Sequence, residues 1–289
     1  PSLSVFDLCN REKLDSFFDE HGDISGIIHF AAYKAVGESV HKPLEYYRNN
    51  LVSLMNLLDS MKTRNIPFFV FSSSCTVYGQ PDKLPVSEDA PVKPAMSPYG
   101  NTKQIGEEII RDTVSAGTGI NAISLRYFNP IGAHPSALIG ELPRGVPENL
   151  VPYITQTAYG LRKELKVFGN DYNTPDGSCV RDYLHVVDLA KAHVAAVKRL
   201  LEKKNKEAYE VFNLGTGKGV SVLEAIKSFE RVSGVSLNYQ ITGRREGDIE
   251  QIWADPALAN RELGWRTRST LDEAMLTAWE WEKYIRKQR

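Results

Sequence analysis

The chain of 289 residues is 42% hydrophobic and 25% charged, which is typical of globular proteins and leaves ample apolar material for a sizeable core. Its 35 lysines and arginines nearly balance its 36 aspartates and glutamates, so no overall charge favours nucleic acid or an anionic membrane surface. The three widely spaced cysteines form neither a disulfide framework nor a metal-ligand pattern. No apolar run approaches the ~20 residues of a membrane span. We therefore predict a cytoplasmic protein without metal, nucleic-acid or membrane partners.

Short apolar runs alternate with longer helical patterns along the chain. In chain order, the predicted elements are a helix at 10–20, a strand at 26–32, a helix at 44–64, a strand at 68–74, a helix at 98–116, a strand at 121–127, a helix at 187–203, a strand at 209–215 and a helix at 222–234. The strands lack regular polar alternation, as is typical of strands covered by helices on both faces. This order predicts an α/β fold with a Rossmann-like, doubly wound parallel sheet.

A second, smaller lobe is predicted where the regular alternation of strands and helices breaks. Residues 129–180 are richer in glycine and proline and carry turn signals such as Pro175-Asp176-Gly177. We therefore assign residues 1–128 and 181–224 to the sheet domain, and residues 129–180 and 225–289 to a mixed α/β lobe.

Polar residues gather directly after the predicted strands. Strand 26–32 is followed by Tyr33 and Lys34, strand 68–74 ends in three serines, and Asn129 closely follows strand 121–127. In open α/β sheets, ligands bind beyond the carboxyl ends of the strands. We therefore expect the functional site at that edge of the sheet.

Tyr99 and Lys103 are four residues apart at the start of a predicted helix, which places both side chains on one face. A nearby ammonium favours the phenolate, so the tyrosine could act as a base, and Ser74 could hydrogen-bond the same substrate oxygen. The spacing alone is weak evidence, because Tyr159 and Lys163 repeat it; we interpret that second copy as a surface helix pair. The strand ending in serines about 25 residues before Tyr99 distinguishes the first copy.

Longer motifs carry a family resemblance over essentially the whole chain. The segments SSSCTVYG, SPYGNTK and LRYFNPIGAHPS resemble the extended short-chain dehydrogenases that act on nucleotide sugars. The later segments FGNDYNTPDGSCVRDYLHVVDLA, VFNLGTGKGVSVLE and RREGDIEQIWAD resemble the UDP-galactose 4-epimerases in particular.

The resemblance implies an NAD-dependent interconversion of UDP-galactose and UDP-glucose. Tyr99 would take the proton of the sugar 4-hydroxyl, Lys103 would hold the nicotinamide ribose and lower the tyrosine pKa, and Ser74 would share the bond to the 4-oxygen. Hydride would pass from sugar C4 to tightly bound NAD and return to the opposite face of a 4-keto sugar.

The resemblance also implies binding residues for each ligand. Residues matching cofactor-lining positions are Asp7, Leu8, Phe30, Ala31, Ala32, Lys34, Asn49, Ser72, Tyr99, Lys103, Tyr127 and Phe128. Residues matching UDP-sugar contacts are Ser74, Tyr99, Asn129, Asn149, Leu150, Arg181, Arg245 and Asp248. The sheet domain would then bind NAD and the second lobe the UDP-sugar. For Asn149 a role as a helix cap remains an alternative, and Phe30 and Ala31 could simply be core strand residues.

Three departures from the family pattern stand out. The family begins with a glycine-rich phosphate loop, but the first glycine of this chain is Gly22, so that loop is not in the sequence. Asp7 would follow a later strand of the family fold. We therefore expect the natural protein to be roughly 50–60 residues longer. Glu148 stands where many members carry asparagine. Ile252 stands directly before Trp253-Ala254-Asp255, at a position where the size of the side chain is associated in the family with tolerance of N-acetylated sugars. Isoleucine is intermediate in size, so the sequence leaves open whether N-acetylated sugars are accepted.

Three other functions compete with this one. The 4,6-dehydratases of this family need an Asp-Glu pair directly after the strand-end hydroxyl; Cys75 and Thr76 stand there, which excludes dehydration. An epimerase of N-acetylated or uronic UDP-sugars remains the alternative, and a non-catalytic Rossmann scaffold is disfavoured because Ser74, Tyr99 and Lys103 are all present. By resemblance, helices 44–64 and 98–116 would form a four-helix bundle in a homodimer.

Overall fold

The computed structural model describes residues 2–245 and 248–288. The helices are α1 (Arg11–Glu20), α2 (Val36–His41), α3 (Pro43–Tyr47), α4 (Ser53–Arg64), α5 (Pro98–Ser115), α6 (Leu150–Ala158), α7 (Val186–Leu201), α8 (Val222–Ser233), α9 (Ala257–Glu262) and α10 (Leu271–Lys287), with a π-helix at Arg48–Val52 and a 3₁₀ helix at Cys75–Tyr78. The strands are β1 (Gly26–His29), β2 (Phe68–Ser72), β3 (Asn121–Tyr127), β4 (Asn129–Ile131), β5 (Leu165–Phe168), β6 (Val180–Arg181), β7 (Tyr183–His185), β8 (Tyr209–Leu214), β9 (Val220–Ser221), β10 (Tyr239–Thr242) and β11 (Gln251–Ile252). Across the described residues, every helix is too short or too polar to cross a lipid bilayer.

The first compact unit is built on a four-stranded sheet with the order β1-β2-β3-β8. Strand β2 pairs in parallel with β1 on one side and β3 on the other, so that Phe68 lies opposite both Gly26 and Asn121. Parallel neighbours require crossover connections, and the helices between these strands supply them. The predicted α/β class with a Rossmann-like parallel sheet is confirmed. This unit contains residues 2–80, 88–126 and 193–212.

A buried apolar cluster holds helices α1, α4 and α5 against the sheet of this unit. Its fully or nearly fully buried members include Leu14, Phe18, Leu54, Leu57, Leu58, Met61, Phe69, Phe71 and Ile110. Complete burial of one such side chain stabilises the fold by roughly 1.5–3 kcal/mol. Helix α5 comes close to β2 at Gly106, where an added Cβ would lie 3.0 Å from Cζ of Phe71. The core therefore fixes α5, which carries the predicted catalytic Tyr99 and Lys103, and β2, which Ser74 closely follows.

The second compact unit contains three small sheets, with the strand orders β10-β5, β11-β6-β9 and β4-β7. Its apolar core includes Ile154 of α6, Phe229 of α8 and Met275 of α10, all fully buried. Capping boxes begin α8 at Ser221 and α10 at Thr270, where side-chain oxygens satisfy the first free N–H groups of each helix. Of the described residues, this unit contains 81–87, 127–192, 213–245 and 248–288.

The compact units divide the chain at other positions than the predicted domains. Residues 181–192 and 213–224 pack with the second unit. A physical reason is the carboxylate of Asp182, which accepts hydrogen bonds from the backbone N–H groups of Thr216 and Ala254 and so holds three segments of that unit together. The assignment of NAD to one domain and UDP-sugar to the other stays a prediction.

Several predicted elements differ in detail from the structure. Strand 26–32 ends at His29, and strand 68–74 ends at Ser72, where the chain turns toward the 3₁₀ helix. The helix predicted at 44–64 is divided into α3, the π-helix and α4. Residues 2–6 belong to no strand, so the prediction that Asp7 directly follows one is wrong; a strand forms only through hydrogen bonds to a neighbouring strand.

The interpretation of Tyr159 and Lys163 as a helix pair is also wrong. Helix α6 ends at Ala158, Tyr159 is its C-cap, and Gly160 turns the chain with φ +86°. Glycine is the residue that enters this left-handed region without steric cost, so the helix ends before Lys163.

Candidate active site

Three serines at the end of β2 face three different partners. The Oγ atom of Ser72 lies 3.0 Å from Nε2 of His193, and the Oγ atom of Ser73 donates to Glu107 at 2.5 Å. Ser74 follows as the N-cap of the 3₁₀ helix, where its Oγ accepts from the backbone N–H of Thr76 at 3.2 Å. The three serines therefore form a hydrogen-bonded segment at the carboxyl edge of the sheet.

Helix α5 places Tyr99 and Lys103 on one face of its first two turns. Ser97 caps the helix by accepting from the N–H of Gly100 at 3.1 Å, and Pro98 occupies the first helical position, where its missing N–H has no cost. The Nζ atom of Lys103 lies 6.0 Å from the centre of the Tyr99 ring. The structure thus brings the two residues together as the spacing predicts.

Lys103 is only 5% exposed, although lysine is rarely buried. Its ammonium donates to the backbone carbonyl of Ser72 at 2.7 Å and lies 4.7 Å from the centre of the Phe71 ring. Burial lowers the pKa of Lys103 to about 8, against the opposing effect of the Glu107 carboxylate. A lysine that titrates in this range beside a phenol is typical of functional sites.

His29 lies at the end of β1 and is 4% exposed. Its ring packs against the neighbouring rings of Phe69 and Phe71, at 6.1 and 6.0 Å between centres. Burial, and then the charge of Lys103, lower the pKa of His29 to about 4. The imidazole is therefore neutral near pH 7 and adds no second positive charge beside Lys103.

The loop after β1 carries the predicted cofactor-lining residues Phe30, Ala31, Ala32 and Lys34. Its backbone is held by Asn50, whose Oδ1 accepts from the N–H of Tyr33 at 2.8 Å and whose Nδ2 donates to the carbonyl of Tyr33 at 3.0 Å. Asn50 sits in the π-helix together with the predicted Asn49, and π-helical segments are frequent at functional sites. Phe30 is 57% exposed, so it is not a core strand residue.

The segment at Asp7 and Leu8 lies beside the π-helix. The carboxylate of Asp7 accepts from the N–H of Cys9 at 2.9 Å, and the Sγ atom of Cys9 lies 3.6 Å from the carbonyl oxygen of Asn49. Asn56 donates to the carbonyl of Leu8 at 3.0 Å. The structure therefore brings three of the predicted cofactor residues, 7, 8 and 49, into one region of the first unit.

In the second unit, Arg181, Arg245 and Asp248 form one charged cluster. Arg245 binds Asp248 with an Nη2–Oδ1 distance of 2.7 Å, and Arg181 approaches the same oxygen to 3.8 Å. The Asp248 side chain is only 11% exposed, whereas that of Arg245 is 55% exposed. The cluster offers guanidinium groups that can bind phosphate oxygens in a bidentate manner.

Four other predicted residues of this unit lie on three further elements, β3, β4 and the start of α6. Tyr127 ends β3, and Asn129 begins β4, where its N–H donates to the carbonyl of Asp182 at 2.9 Å. Asn149 occupies the N-cap position of α6 without a side-chain capping bond and donates instead to Glu141 at 2.9 Å. Leu150 is the first residue of α6 and is half-buried.

The two residues that depart from the family pattern differ in exposure. Glu148 is exposed next to Asn149. Ile252 is 2% exposed in β11, where it pairs with Arg181 of β6. Ile252 is therefore a buried residue directly beside one member of the charged cluster.

Sequence reasoning did not single out Glu107, Arg126 and Asp182, which are all buried. Two signals were available. Glu107 stands four residues after Lys103 and therefore on the same face of α5. Asp182 is an acidic residue between the short strands β6 and β7, close to the apolar Val180 and Leu184, and a buried carboxylate must find donors.

Sequence comparisons place the chain among known nucleotide-sugar enzymes. Residues 2–277 match a family model described as GDP-mannose 4,6 dehydratase. The chain is 51% identical over 276 residues to the UDP-glucose 4-epimerase of Bacillus subtilis, covering 96% of this chain and 80% of that protein. It is 49% identical over 277 residues to the mouse (Mus musculus) UDP-glucose 4-epimerase, covering 96% and 79%.

Solved structures of epimerases superpose closely. The Stenotrophomonas maltophila UDP-glucose 4-epimerase with bound NAD and formylated UDP-arabinopyranose gives a TM-score of 0.95 at 45% identity, covering 100% of this chain and 84% of that one. The Bifidobacterium longum UDP-glucose 4-epimerase in complex with NAD⁺ and UDP gives 0.93 at 46% identity, covering 99% and 84%. The chain belongs to the UDP-glucose 4-epimerase family of the extended short-chain dehydrogenases/reductases.

Proposed function

We propose that this protein interconverts UDP-galactose and UDP-glucose by NAD-dependent epimerisation at C4. The observation that carries the proposal is the buried Lys103, held on the Ser72 carbonyl at 2.7 Å and directed toward the ring of Tyr99. Burying an ammonium costs free energy, and such perturbed groups are concentrated at functional sites; this one lies beside the phenol that the family motif makes a base. Relatives with which the chain shares about half of its aligned residues are named UDP-glucose 4-epimerase.

In this proposal Tyr99 removes the proton from the sugar 4-hydroxyl as hydride leaves C4. The positive charge of Lys103 favours the phenolate form of Tyr99, and Ser74 hydrogen-bonds the 4-oxygen. When hydride returns to the opposite face of the 4-keto sugar, Tyr99 gives the proton back. Ser74 and Lys103 lie on segments that the core holds in place, which preserves their geometry through the cycle.

The residues of the first unit fit NAD by their chemistry. An ammonium and a phenol can bond ribose hydroxyls, and the loop after β1 carries Phe30 and Lys34 as exposed side chains. Asp7 is an exposed carboxylate suited to the hydroxyl or amino groups of adenosine. When bound, NAD supplies the hydride acceptor and donor for C4.

For UDP we propose the charged cluster of the second unit. Arg181 and Arg245 bind diphosphate oxygens, and Asp248 accepts from ribose hydroxyls. Asn129, Asn149 and Leu150 complete the predicted set. The 2.7 Å pairing of Arg245 with Asp248 supports this role, because it holds an otherwise exposed guanidinium in one place.

We further propose a cytoplasmic homodimer. Three reduced cysteines, two of them partly accessible, are compatible with a reducing compartment. The helices predicted for the dimer correspond to α3, the π-helix and α4, and to α5. On the first of these segments Leu44 is 73% and Met55 43% exposed, which supports burial of this face against a second copy.

The test is to purify the protein and add UDP-galactose without NAD, then follow UDP-glucose by chromatography. We expect a mixture of both sugars, and we expect Tyr99→Phe to lower turnover by roughly 10²–10⁴-fold, the usual contribution of a positioned proton-transfer group. The control is Tyr159→Phe, which deletes a phenol hydroxyl at the second copy of the spacing. No conversion even with added NAD would refute the glucose–galactose assignment and direct attention to N-acetylated and uronic UDP-sugars. Equal turnover of the wild type and Tyr99→Phe would refute the assigned base.

A further inference from the structure

A buried ion pair lies directly behind the Tyr99–Lys103 pair. Arg126 donates through Nε to Oε1 of Glu107 at 2.9 Å and through Nη2 to Oε2 at 2.5 Å. Both side chains are less than one-tenth exposed. Ser73 donates to the carboxylate at 2.5 Å, and Arg126 also donates to the Tyr78 hydroxyl at 2.9 Å. Every member of the network is hydrogen-bonded, which is the condition for tolerating charge in a core.

Stability alone does not explain such a pair. Buried ion pairs can often be replaced by apolar residues without loss of stability, so a buried pair is weak evidence for a stabilising role. This one links the segments that carry the catalytic groups. Glu107 follows Lys103 by one helical turn on α5, Ser73 lies between Ser72 and Ser74, and Arg126 lies near the carboxyl end of β3.

The charges around Lys103 come from several elements. His29 of β1 is held neutral near pH 7, because burial lowers its pKa to about 4. Among the groups that act on Lys103, the carboxylate of Glu107 raises its pKa. Other titratable side chains lie on the segments packed around α5: Tyr99 beside Lys103, Arg126 bonded to Tyr78, His193 bonded to Ser72, and Tyr209 bonded to Ser124. Glu107 is therefore a negative charge, one helical turn from Lys103, that favours the ammonium form against the effect of burial.

We propose that Glu107 is a positioning residue for the Tyr99–Lys103 pair, which it holds against β2 and β3 while stabilising Lys103 in its charged form. The catalytic roles of Tyr99 and Lys103 rest on the proposed function, but the effect of Glu107 on Lys103 does not. In Glu107→Gln the shape is kept and the negative charge is lost. Lys103 then loses its proton at lower pH, and the alkaline limb of turnover moves in the same direction.

The test is an NMR titration of the full protein labelled with ¹³Cε-lysine, without substrate. A Lys103→Arg spectrum identifies the resonance. We expect Glu107→Gln to lower the midpoint of Lys103 by about one pH unit, the smallest effect usual for a close opposite charge. Ser73→Ala is the matched control, because it removes one hydrogen bond to Glu107 and keeps the charge; its midpoint is expected to equal that of the wild type.

A purely structural role for Glu107 predicts lower stability but no change of the Lys103 midpoint, and that result would overturn the proposal. If Glu107→Gln fails to fold because Arg126 is left without its partner, the double variant Glu107→Gln/Arg126→Met leaves no unpaired buried charge. It lacks the positive charge of Arg126 as well as the carboxylate, so it is compared with Arg126→Met, which keeps Glu107. Its Lys103 midpoint is expected to lie below that of Arg126→Met, and equal midpoints would overturn the proposal. Since no substrate is present, this titration succeeds or fails independently of the epimerase assignment.

Discussion

His29 makes the first unit sensitive to acid. Its pKa is lowered from the ordinary 6.5 to about 4 by burial and by Lys103. The unfolded chain therefore binds a proton at pH values where the folded protein does not. The stability that the neutral ring contributes is fully present above pH 6.5 and is lost as the pH falls toward 4.

The size of this effect follows from the two pKa values. Each pH unit of separation corresponds to about 1.4 kcal/mol, so the full loss is about 3 kcal/mol. Between pH 7.5 and pH 4.5 the same linkage gives a loss of about 2.5 kcal/mol from this one group. Because domains are stable by only about 5–15 kcal/mol in total, the loss is large enough to measure.

The assay compares the wild type with His29→Phe by urea unfolding at pH 7.5 and 4.5, followed by circular dichroism. Phenylalanine keeps an aromatic ring against Phe69 and Phe71 but cannot bind a proton. Other groups also titrate in this range, so the informative quantity is the difference between the two proteins. We expect the variant to lose about 2.5 kcal/mol less on acidification. His41→Phe, at an exposed position, controls for an added aromatic side chain. Equal acid sensitivity in wild type and His29→Phe would refute the reasoning.

Two further predictions concern packing in each unit. Asp182→Asn should lower the free energy of unfolding of the second unit by about 3 kcal/mol, because the carboxylate accepts from both the N–H and the hydroxyl of Thr216 at 2.8 and 2.7 Å and an amide cannot replace all of these bonds. Tryptophan fluorescence measures this loss, since all four tryptophans lie in that unit. A loss below 1 kcal/mol would contradict the interpretation. Gly106→Val should cost about 1–3 kcal/mol and reduce turnover, because its Cβ would lie 3.0 Å from Phe71 and displace α5. Gly22→Val, where an added Cβ meets nothing within 4 Å, is the control, and equal effects of the two changes would contradict the role of close packing.

Local patterns predicted the elements that form the sheet and place the catalytic helix. The run from Asn121 to Tyr127 is a strand with the predicted bounds, and Pro98 after Ser97 marks the start of α5. These predictions are reliable because apolar periodicity and capping chemistry act within a few residues. The resemblance to epimerases was also readable, because its motifs are long segments that stay contiguous in the sequence.

Other features depend on partners far away in the chain. The second Tyr-x-x-x-Lys spacing is not helical, because Gly160 ends α6. The π-helix that divides the predicted helix at 44–64 contains Asn50, whose side chain bonds the backbone of Tyr33, seventeen residues earlier. No local pattern reveals such a bond, because both partners are ordinary residues for their own segments.

The sequence by itself determined the α/β class, the family, and the Tyr99–Lys103 pair with its serine-ended strand. Only the tertiary structure showed that Lys103 is buried on the Ser72 carbonyl, that His29 is held neutral beside it, and that Glu107 pairs with Arg126. The reason is physical. Motifs and periodicity are properties of neighbouring residues, whereas burial, and with it the charge state of an ionisable group, is decided by every segment that packs around that group.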